Sequence, residues 1–513
     1  MLLGEIAQTS QRVAETRARL EKISHLADCL RRLSPEEREA GVAFLTGEMR
    51  QGRIGLGHAA IREAMPDKVS AGAALTVREV DETFETIAGT SGPGSAKAKL
   101  QALRSLLGRS TKEEQDFLTR LVFGELRQGA QEGVVIEAVA KAAAVTASSV
   151  RRATMLAGDL QQVAVAALTD GEAALSGFRL QLLSPVQPML AQTAEEMADV
   201  FARHERVELE YKVDGVRVQV HRLGEDVRVF TRKLNEVTAA VPELVEAALA
   251  LPVSGGVILD GEAIALTSDG RPAPFQTTMR RFGRRLNVDD MRRRLPLSPF
   301  YFDCLHLNGE DLIDRPAEER LAAARRLLPL EQVVPHTVAS GAEEAQGFLQ
   351  AALEAGHEGI VAKALDGPYE AGRRGAGWLK LKPVHTLDLV VLAVEWGSGR
   401  RSGLFSNLHL GARDPSGGLV MLGKTFKGMT DAVLRWQTQK LLELKVTEEG
   451  GVVYVRPELV VEIAFDGVQA SPHYPGGMAL RFARLKRYRP DKTADQADTV
   501  QTVRQVFEER APH

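Results

Sequence analysis

Through residues 1–183 apolar side chains recur at intervals of three and four, as in Phe117, Leu118, Leu121, Val122 and Leu126. That is the period of helices with one buried face. Strand-like alternation is scarce in this stretch. Ser34-Pro35-Glu36-Glu37 puts a cap residue before a proline at the first helical position. Thr111-Lys112-Glu113-Glu114 has the spacing of a capping box. Residues 89–99 (GTSGPGSAKAK) read as a glycine- and serine-rich loop ending in lysines. Such a loop is usually plain surface; as a functional element it would clamp a phosphate backbone with its N–H groups, Lys97 and Lys99. Residues 184–191 (SPVQPMLA) hold two prolines and predict a linker.

From about residue 206 the period becomes two. Val216, Val218 and Val220 alternate with Arg217, Gln219 and His221, and Val227/Val229 and Val257/Leu259 behave alike. Helical stretches intervene at 241–250, 316–328 and 343–355, so this region is mixed α and β. From 387 to 492 short strands (387–395, 407–412, 419–422, 458–465) separated by glycine-rich turns suit a small β-barrel. The tail beyond Lys492 is polar and predicts one helix. No internal repeat or low-complexity tract interrupts the chain.

At 513 residues the chain exceeds what one core can bury, which implies roughly two to four domains. Its 44% hydrophobic and 26% charged residues are ordinary for a soluble globular protein. No apolar run approaches the ~18 residues of a membrane helix, and the first 20 residues lack a basic-then-apolar leader layout; the expectation is a cytoplasmic protein with no membrane partner. Cys29 and Cys304 form no Cys-x-x-Cys pair, so no zinc site is built from thiolates. The net charge of −3, from 65 basic and 68 acidic residues, does not exclude nucleic acid, because clustering on one face decides that. Arg280-Arg281, Arg284-Arg285 and Arg292-Arg293-Arg294, with Phe282 interleaved, are such a cluster.

The sharpest chemical feature is Glu210-Tyr211-Lys212-Val213-Asp214-Gly215-Val216-Arg217. Read as a strand running into a tight turn, it points Glu210 and Lys212 to one face. A lysine becomes a nucleophile when burial or neighbouring cations lower its pKa. A Lys-x-Asp-Gly-x-Arg string alone arises by chance in on the order of one chain in a few hundred. Here it is followed, in order, by Arg232, by Asp260 and Glu262 on one strand face, by Tyr301-Phe302-Asp303, by Glu358 before an apolar strand through Lys363, and by Lys380 and Lys382 on one face opposite two leucines. A carboxylate pair suits Mg²⁺ or a ribose hydroxyl. A strand aromatic can stack on a base, and paired lysines would hold phosphates and depress the pKa of a third lysine.

This series resembles the covalent nucleotidyltransferases: ATP-dependent DNA ligases, RNA ligases and mRNA-capping enzymes. It is most similar to the three-domain DNA ligases of the archaeal and eukaryotic replicative type. Residues 185–191 look like their linker, and residues 481–492 (RFARLKRYRPDK) look like their final motif, with Ala483 where proline is usual. The resemblance implies an all-α N-terminal DNA-binding domain (1–183), an α+β, ATP-grasp-like adenylation domain (184–386) and a C-terminal OB-fold β-barrel with a tail (387–513). It implies that Lys212 forms the bond to AMP, that Glu210 lies by the adenine and Phe302 stacks on it, and that Arg217, Arg232 and Glu262 touch the sugar and its surroundings. Arg374, Lys380 and Lys382 would bind phosphates, Glu262 and Glu358 would contact Mg²⁺, and Arg481, Arg487 and Lys492 would close over ATP. The segment 125–129 (ELRQG) would belong to a minor-groove grip.

The activity so implied is sealing of nicked double-stranded DNA by a monomer, in replication, repair and recombination, through lysyl-AMP and DNA-adenylate intermediates. In that setting the arginine cluster is expected to track phosphates, and closure around a duplex predicts mobility near residues 186 and 386. An RNA ligase or a GTP-using capping enzyme shares the lysine motif but not so large a helical N-terminal region. An NAD⁺-dependent ligase is disfavoured by the missing four-cysteine zinc site. A non-catalytic DNA clamp would need none of Lys212, Glu262, Lys380 and Lys382.

Overall fold

The computed structural model describes residues 1–508 apart from 53, 67–68, 71, 73–74, 127, 283–287, 371–376, 384 and the side chain of Arg400. Up to Leu175 its elements are helices, from Leu3–Glu15 to Leu160–Leu175. One apolar core, reaching from Leu3 to Leu175 and centred on Phe44, Phe84 and Phe117, lies among them. The capping box forms as read: Thr111 N–H donates to Glu114 at 2.8 Å and Glu114 N–H donates to Thr111 Oγ1 at 3.3 Å. Pro35 instead opens a single 3₁₀ turn, Pro35–Glu37, ahead of the helix Arg38–Thr46. The expected loop at 89–99 is also shorter than read. A helix starts at Ser95, behind Gly94 at φ +84°. Lys99 donates to the Ile54 carbonyl at 3.2 Å, so it serves a fold contact.

The middle of the chain builds two five-stranded sheets. Its strands are β1 (Gln192–Thr193), β2 (Val207–Tyr211), β3 (Val216–Leu223), β4 (Asp226–Thr231), β5 (Val257–Ala265), β6 (Leu297–Leu307), β7 (Glu310–Asp311), β8 (His336–Ala339), β9 (Ile360–Ala364) and β10 (Trp378–Leu381). One sheet has the order β1-β10-β9-β2-β8 and the other β4-β3-β5-β6-β7. The chain leaves the first sheet and joins the second across residues 212–215. The helix Ala342–Glu354 covers the first sheet, and helices Pro242–Leu249 and Ala317–Leu327 pack on the second. These three helices fall where the period predicted them.

The alternation along β3 does not separate a core face from a wet one. Gln219 and His221 are as buried as the valines between them, because the segment after Leu183 lies against that face. Val186 is fully buried there. The segment around 186, where a hinge was expected, is packed and hydrogen-bonded: backbone that leaves water must find partners, and Val186 N–H and its carbonyl both meet Gln219.

The C-terminal region is β-rich. Strands β11 (His385–Trp396), β12 (Phe405–Arg413), β13 (Leu419–Thr425), β14 (Lys445–Glu449), β15 (Val452–Val455), β16 (Val460–Phe465) and β19 (Arg484–Tyr488) form a seven-stranded sheet, beside the hairpin of β17 (Gly467–Ala470) and β18 (Met478–Arg481). Leu408, Leu410, Val461, Ile463 and Phe465 supply its core. The helix Asp431–Glu443 between β13 and β14 was not legible among the short strands. The tail forms a helix, Val500–Glu508.

Candidate active site

Lys212 follows the last residue of β2. Its backbone is tied to the loop before β9: Lys212 N–H donates to the Gly359 carbonyl at 2.8 Å and Glu358 N–H donates to the Lys212 carbonyl at 3.1 Å. Both glycines of this corner are obligatory. A Cβ on Gly215 would stand 2.4 Å from the Ala263 carbonyl oxygen, and one on Gly359, at φ +147°, 2.1 Å from that of Leu381. The corner thus wedges the lysine between the two sheets.

Around it stand alternating charges. The Lys212 ammonium donates to Glu358, and Lys382 reaches the same carboxylate at 3.0 Å. Lys382 also meets Asp466 at 3.1 Å, and Arg481 lies 3.5 Å from Asp214 and 4.0 Å from Glu358. The C-terminal region therefore reaches the nucleophile's surroundings.

The sequence reading expected neighbouring lysines to depress the Lys212 pKa. The structure shows the opposite. Burial pulls that pKa down, but the charges of Glu358, Asp214 and Glu262 outweigh it and hold it above the ordinary lysine value. Glu358 is the complement: burial would raise it, yet Lys212 and Lys382 hold it at about 2. Glu262 sits on β5 opposite Arg217 of β3. Burial pushes it up to about 7 against the pull of Lys212 and Arg217.

Behind the lysine lies a buried ion pair that the sequence did not announce. Lys363, 1% exposed, donates to Glu210 at 2.8 Å and to the Phe302 carbonyl at 2.6 Å. Burial still leaves Glu210 raised to about 7. A lysine inside the apolar strand Ile-Val-Ala-Lys-Ala was the available signal, since a charge there must be paired. Arg217 donates to both Asp260 oxygens, at 3.0 and 2.6 Å. Tyr369, also missed, donates to Asp260 at 2.6 Å. The Phe302 ring is partly buried, edge-on to Trp378 with centroids 5.9 Å apart, with Lys363 Nζ 4.8 Å and the Arg217 guanidinium 5.4 Å from its centre.

Glu210, Lys212, Arg217, Glu262, Phe302, Glu358, Lys382 and Arg481 are thus gathered along one seam. Lys380 lies on β10 between buried leucines, and its carbonyl accepts from Ala194 N–H at 3.0 Å. Arg232 is exposed in the turn after β4 and takes no part in the ionic cluster. Two residues of the predicted closing motif are held elsewhere: Arg487 donates to Glu462 at 2.7 Å and Lys492 to Asp388 at 2.5 Å, within the C-terminal region. Arg374 lies outside the described residues, as do Arg127, Arg284 and Arg285. Arg281 corrects the phosphate-tracking expectation for its run. It is fully buried, donating to the Ala240 carbonyl at 2.6 Å and to Glu243 at 3.0 Å. Arg292 and Arg293 pair with Glu246 and Asp290.

The described residues contain no cluster of three or more His, Cys, Asp or Glu side chains arranged for a metal ion. Of the two carboxylates expected at Mg²⁺, Glu358 is neutralised by lysines, and Glu262 has no ammonium within ion-pair reach among the described residues. That donor set suits a cation held mostly by phosphate oxygens and water, which is how Mg²⁺ is usually bound.

Comparison with known proteins adds the following. Residues 61–140 match the model of the DNA ligase N terminus, residues 188–382 that of the ATP dependent DNA ligase domain, and residues 401–492 that of the ATP dependent DNA ligase C terminal region. A probable DNA ligase of Anaeromyxobacter sp. (strain Fw109-5) is 60% identical over 507 residues, 98% of each chain. One of Mycolicibacterium gilvum (strain PYR-GCK) is 55% identical over 512 residues, 99% of each. The solved structure described as Pmar-Lig_Pre shares the fold at a TM-score of 0.63 and 18% identity, covering 94% of this chain and 99% of that one. With three family segments in family order and near-full-length likeness at 60% identity, the chain belongs to the ATP-dependent DNA ligases.

Proposed function

We propose that this protein seals 5′-phosphate/3′-hydroxyl nicks in duplex DNA by way of a lysyl-AMP on Lys212. The observation that carries the assignment is the seam itself: one lysine wedged between two sheets, with paired cations and carboxylates converging on it from three segments of the chain. In the first step Lys212 Nζ attacks the α-phosphorus of ATP. The P–N bond forms as the bond to the β-phosphate oxygen breaks and pyrophosphate leaves. An ammonium cannot attack, so the Lys212–Glu358 pair must loosen and Lys212 must release a proton to water first. Phosphate oxygens arriving at Lys382 and Arg481 compete for the cations that now neutralise Glu358 and Asp214. In the second step a 5′-phosphate oxygen at the nick attacks the adenylyl phosphorus and frees Lys212. In the third the 3′-hydroxyl attacks that 5′-phosphate and AMP departs.

In this reading Glu210 and its partner Lys363 form the polar end of the adenine pocket and Phe302 stacks on the base. Arg217 and Glu262 face the ribose, and Lys380 and Lys382 face the phosphates. Arg232, exposed nearby, meets the sugar or phosphate when nucleotide is bound, and Arg374 adds a phosphate contact. Mg²⁺, held by phosphate oxygens with Glu262 and Glu358 beside it, would supply a Lewis acid for the charge that develops on phosphorus. Arg481 stands close enough to orient pyrophosphate, whereas Arg487 and Lys492 would have to exchange Glu462 and Asp388 for ATP. We assign residues 1–183 to an all-α DNA-binding domain, 184–386 to the adenylation domain and 387–513 to an OB-fold with its tail. The protein acts as a cytoplasmic monomer in replication, repair and recombination.

The test is incubation with Mg²⁺ and α-labelled ATP. A labelled adduct forms on the wild type, is absent from Lys212→Ala, and is chased by nicked DNA into sealed product. An adduct that persists in Lys212→Ala, or forms with GTP alone, overturns the proposal.

A further inference from the structure

The three polar side chains that alternate along β3 act on one object. Arg217, Gln219 and His221 share a strand face, and each bonds to main-chain groups of the segment between the helical region and the sheets. Arg217 Nη1 donates to the Met189 carbonyl at 2.6 Å. The Gln219 amide accepts from Val186 N–H at 2.8 Å and donates to the Val186 carbonyl at 3.2 Å. His221 Nδ1 accepts from Leu183 N–H at 3.2 Å, and its Nε2 lies 2.8 Å from Gln219 Oε1. With Nδ1 accepting, the proton belongs on Nε2 and is given to Gln219, whose Oε1 thus accepts from both Val186 N–H and His221. Tyr369 adds a fourth tie, accepting from Met189 N–H at 3.0 Å.

The strap runs antiparallel to β3, three of its residues to every two of the strand. Backbone pairing cannot follow that spacing, and side chains take its place. The opposite edge of the strap faces the helices: Gln187 N–H donates to the Met155 carbonyl at 3.0 Å and its side chain to Glu132 at 2.7 Å. An apolar core joins Met155 and Leu156 to Val186, Met189, Ile258 and Trp378.

We infer that Gln219 and His221 are positioning residues for the nucleotide pocket: they hold residues 183–189 as a rigid spacer whose Met189 carbonyl fixes the Arg217 guanidinium, coupling the helical region to the ATP site. The inference rests on the nucleotide reading of this pocket. Arg217 is held from two sides, by Asp260 within the sheet and by Met189 from the strap. Releasing the strap frees one side only, so ATP binding weakens while the lysine chemistry persists.

The experiment uses the full chain with Gln219→Met, Gln219→Glu and His221→Phe, and Arg217→Lys as reference. It reads amide hydrogen exchange over residues 180–191, and KM and kcat for ATP in self-adenylylation. Gln219→Met removes the amide at similar volume. It should speed exchange in the strap about tenfold, the loss expected for about 1.4 kcal/mol of hydrogen bonding, and raise KM for ATP about fivefold with kcat within twofold. Gln219→Glu keeps the accepting oxygen for Val186 and His221 but turns its second oxygen to the Val186 carbonyl, so it should recover only part of both. His221→Phe, farthest from Arg217, should raise KM only about twofold, and it serves as the second probe if Gln219→Met does not fold. Unchanged exchange, unchanged KM despite faster exchange, or a fall in kcat that Gln219→Glu does not rescue overturns the proposal. If Arg217→Lys itself leaves KM for ATP unchanged, the pocket reading fails; if only the Gln219 and His221 variants are silent, the strap alone fails.

Discussion

The middle sheets are joined to the rest of the chain in two different ways. Toward the helices the joint is apolar and main-chain bonded: Met155, Leu156, Val186 and Met189 are buried together, with the ion pair Arg152–Asp314 at its surface. Toward the C-terminal region the joint at the active site is ionic: Lys382–Asp466, Arg481–Asp214 and Arg481–Glu358. Burial of apolar surface is non-directional and little affected by salt, whereas partly exposed ion pairs are weak, screened and easily exchanged for another anion. The first joint is built to persist. The second is built to open, and phosphates are the natural competitors for its cations.

The contrast breaks most severely at its apolar end. Val186→Asp places an unpaired carboxylate at a fully buried position and should cost about 3–5 kcal/mol. Calorimetry should then resolve a separate transition for the helical region; a single transition with unchanged Tm would refute a persistent joint. A smaller, chemical effect is expected inside the seam. Glu358 is the leading charge holding Lys212 protonated, so Glu358→Gln should shift the acid limb of the self-adenylylation pH profile toward lower pH by on the order of one unit, even if the plateau falls. A shift toward higher pH would contradict the assigned charge pattern.

Smaller still is a stability effect at Glu210. Its folded pKa, about 7, lies above the ordinary carboxylate value. Between those two values the folded state binds the extra proton, so this group makes stability fall as pH rises from about 4.5 to 7. Glu210→Gln should flatten that slope in denaturant titrations. The smallest change belongs to the ionic joint. Asp466→Asn, or raising salt from 0.15 to about 1 M, should alter global stability by less than about 1 kcal/mol. Either should nonetheless enlarge the radius of gyration of the free protein in scattering; an unchanged profile would show that the C-terminal region is held by more than charge.

What the sequence disclosed follows from distance along the chain. The Lys-x-Asp-Gly corner was readable because its geometry is local: a strand, a turn and a glycine within six residues. The helices at 241–250, 316–328 and 343–355 and most C-terminal strands were readable because burial repeats within an element. Partner choice was not. Nothing near Lys363 names Glu210, 153 residues away, and nothing near Asp260 names Tyr369. Arg281 looked like part of a phosphate-binding run because a row of arginines does not reveal which one turns inward to Glu243. The Lys212 pKa is hidden from the sequence for the same reason: Lys382 is visible there, but the Glu358 carboxylate between it and Lys212 has to be placed in space.

The two-rung backbone tie between Lys212 and the 358–359 loop has a consequence for how such a chain can vary. Nucleophile and counter-charge are 146 residues apart in sequence, yet their relative position is set by two main-chain hydrogen bonds and a glycine contact with Leu381. Insertions or deletions in surface turns anywhere in that interval leave the reactive register untouched. A single residue inserted between Glu358 and Ile360 would displace both rungs at once. Length is therefore freer to drift in the surface turns of that interval than in one short loop that carries no nucleophile of its own.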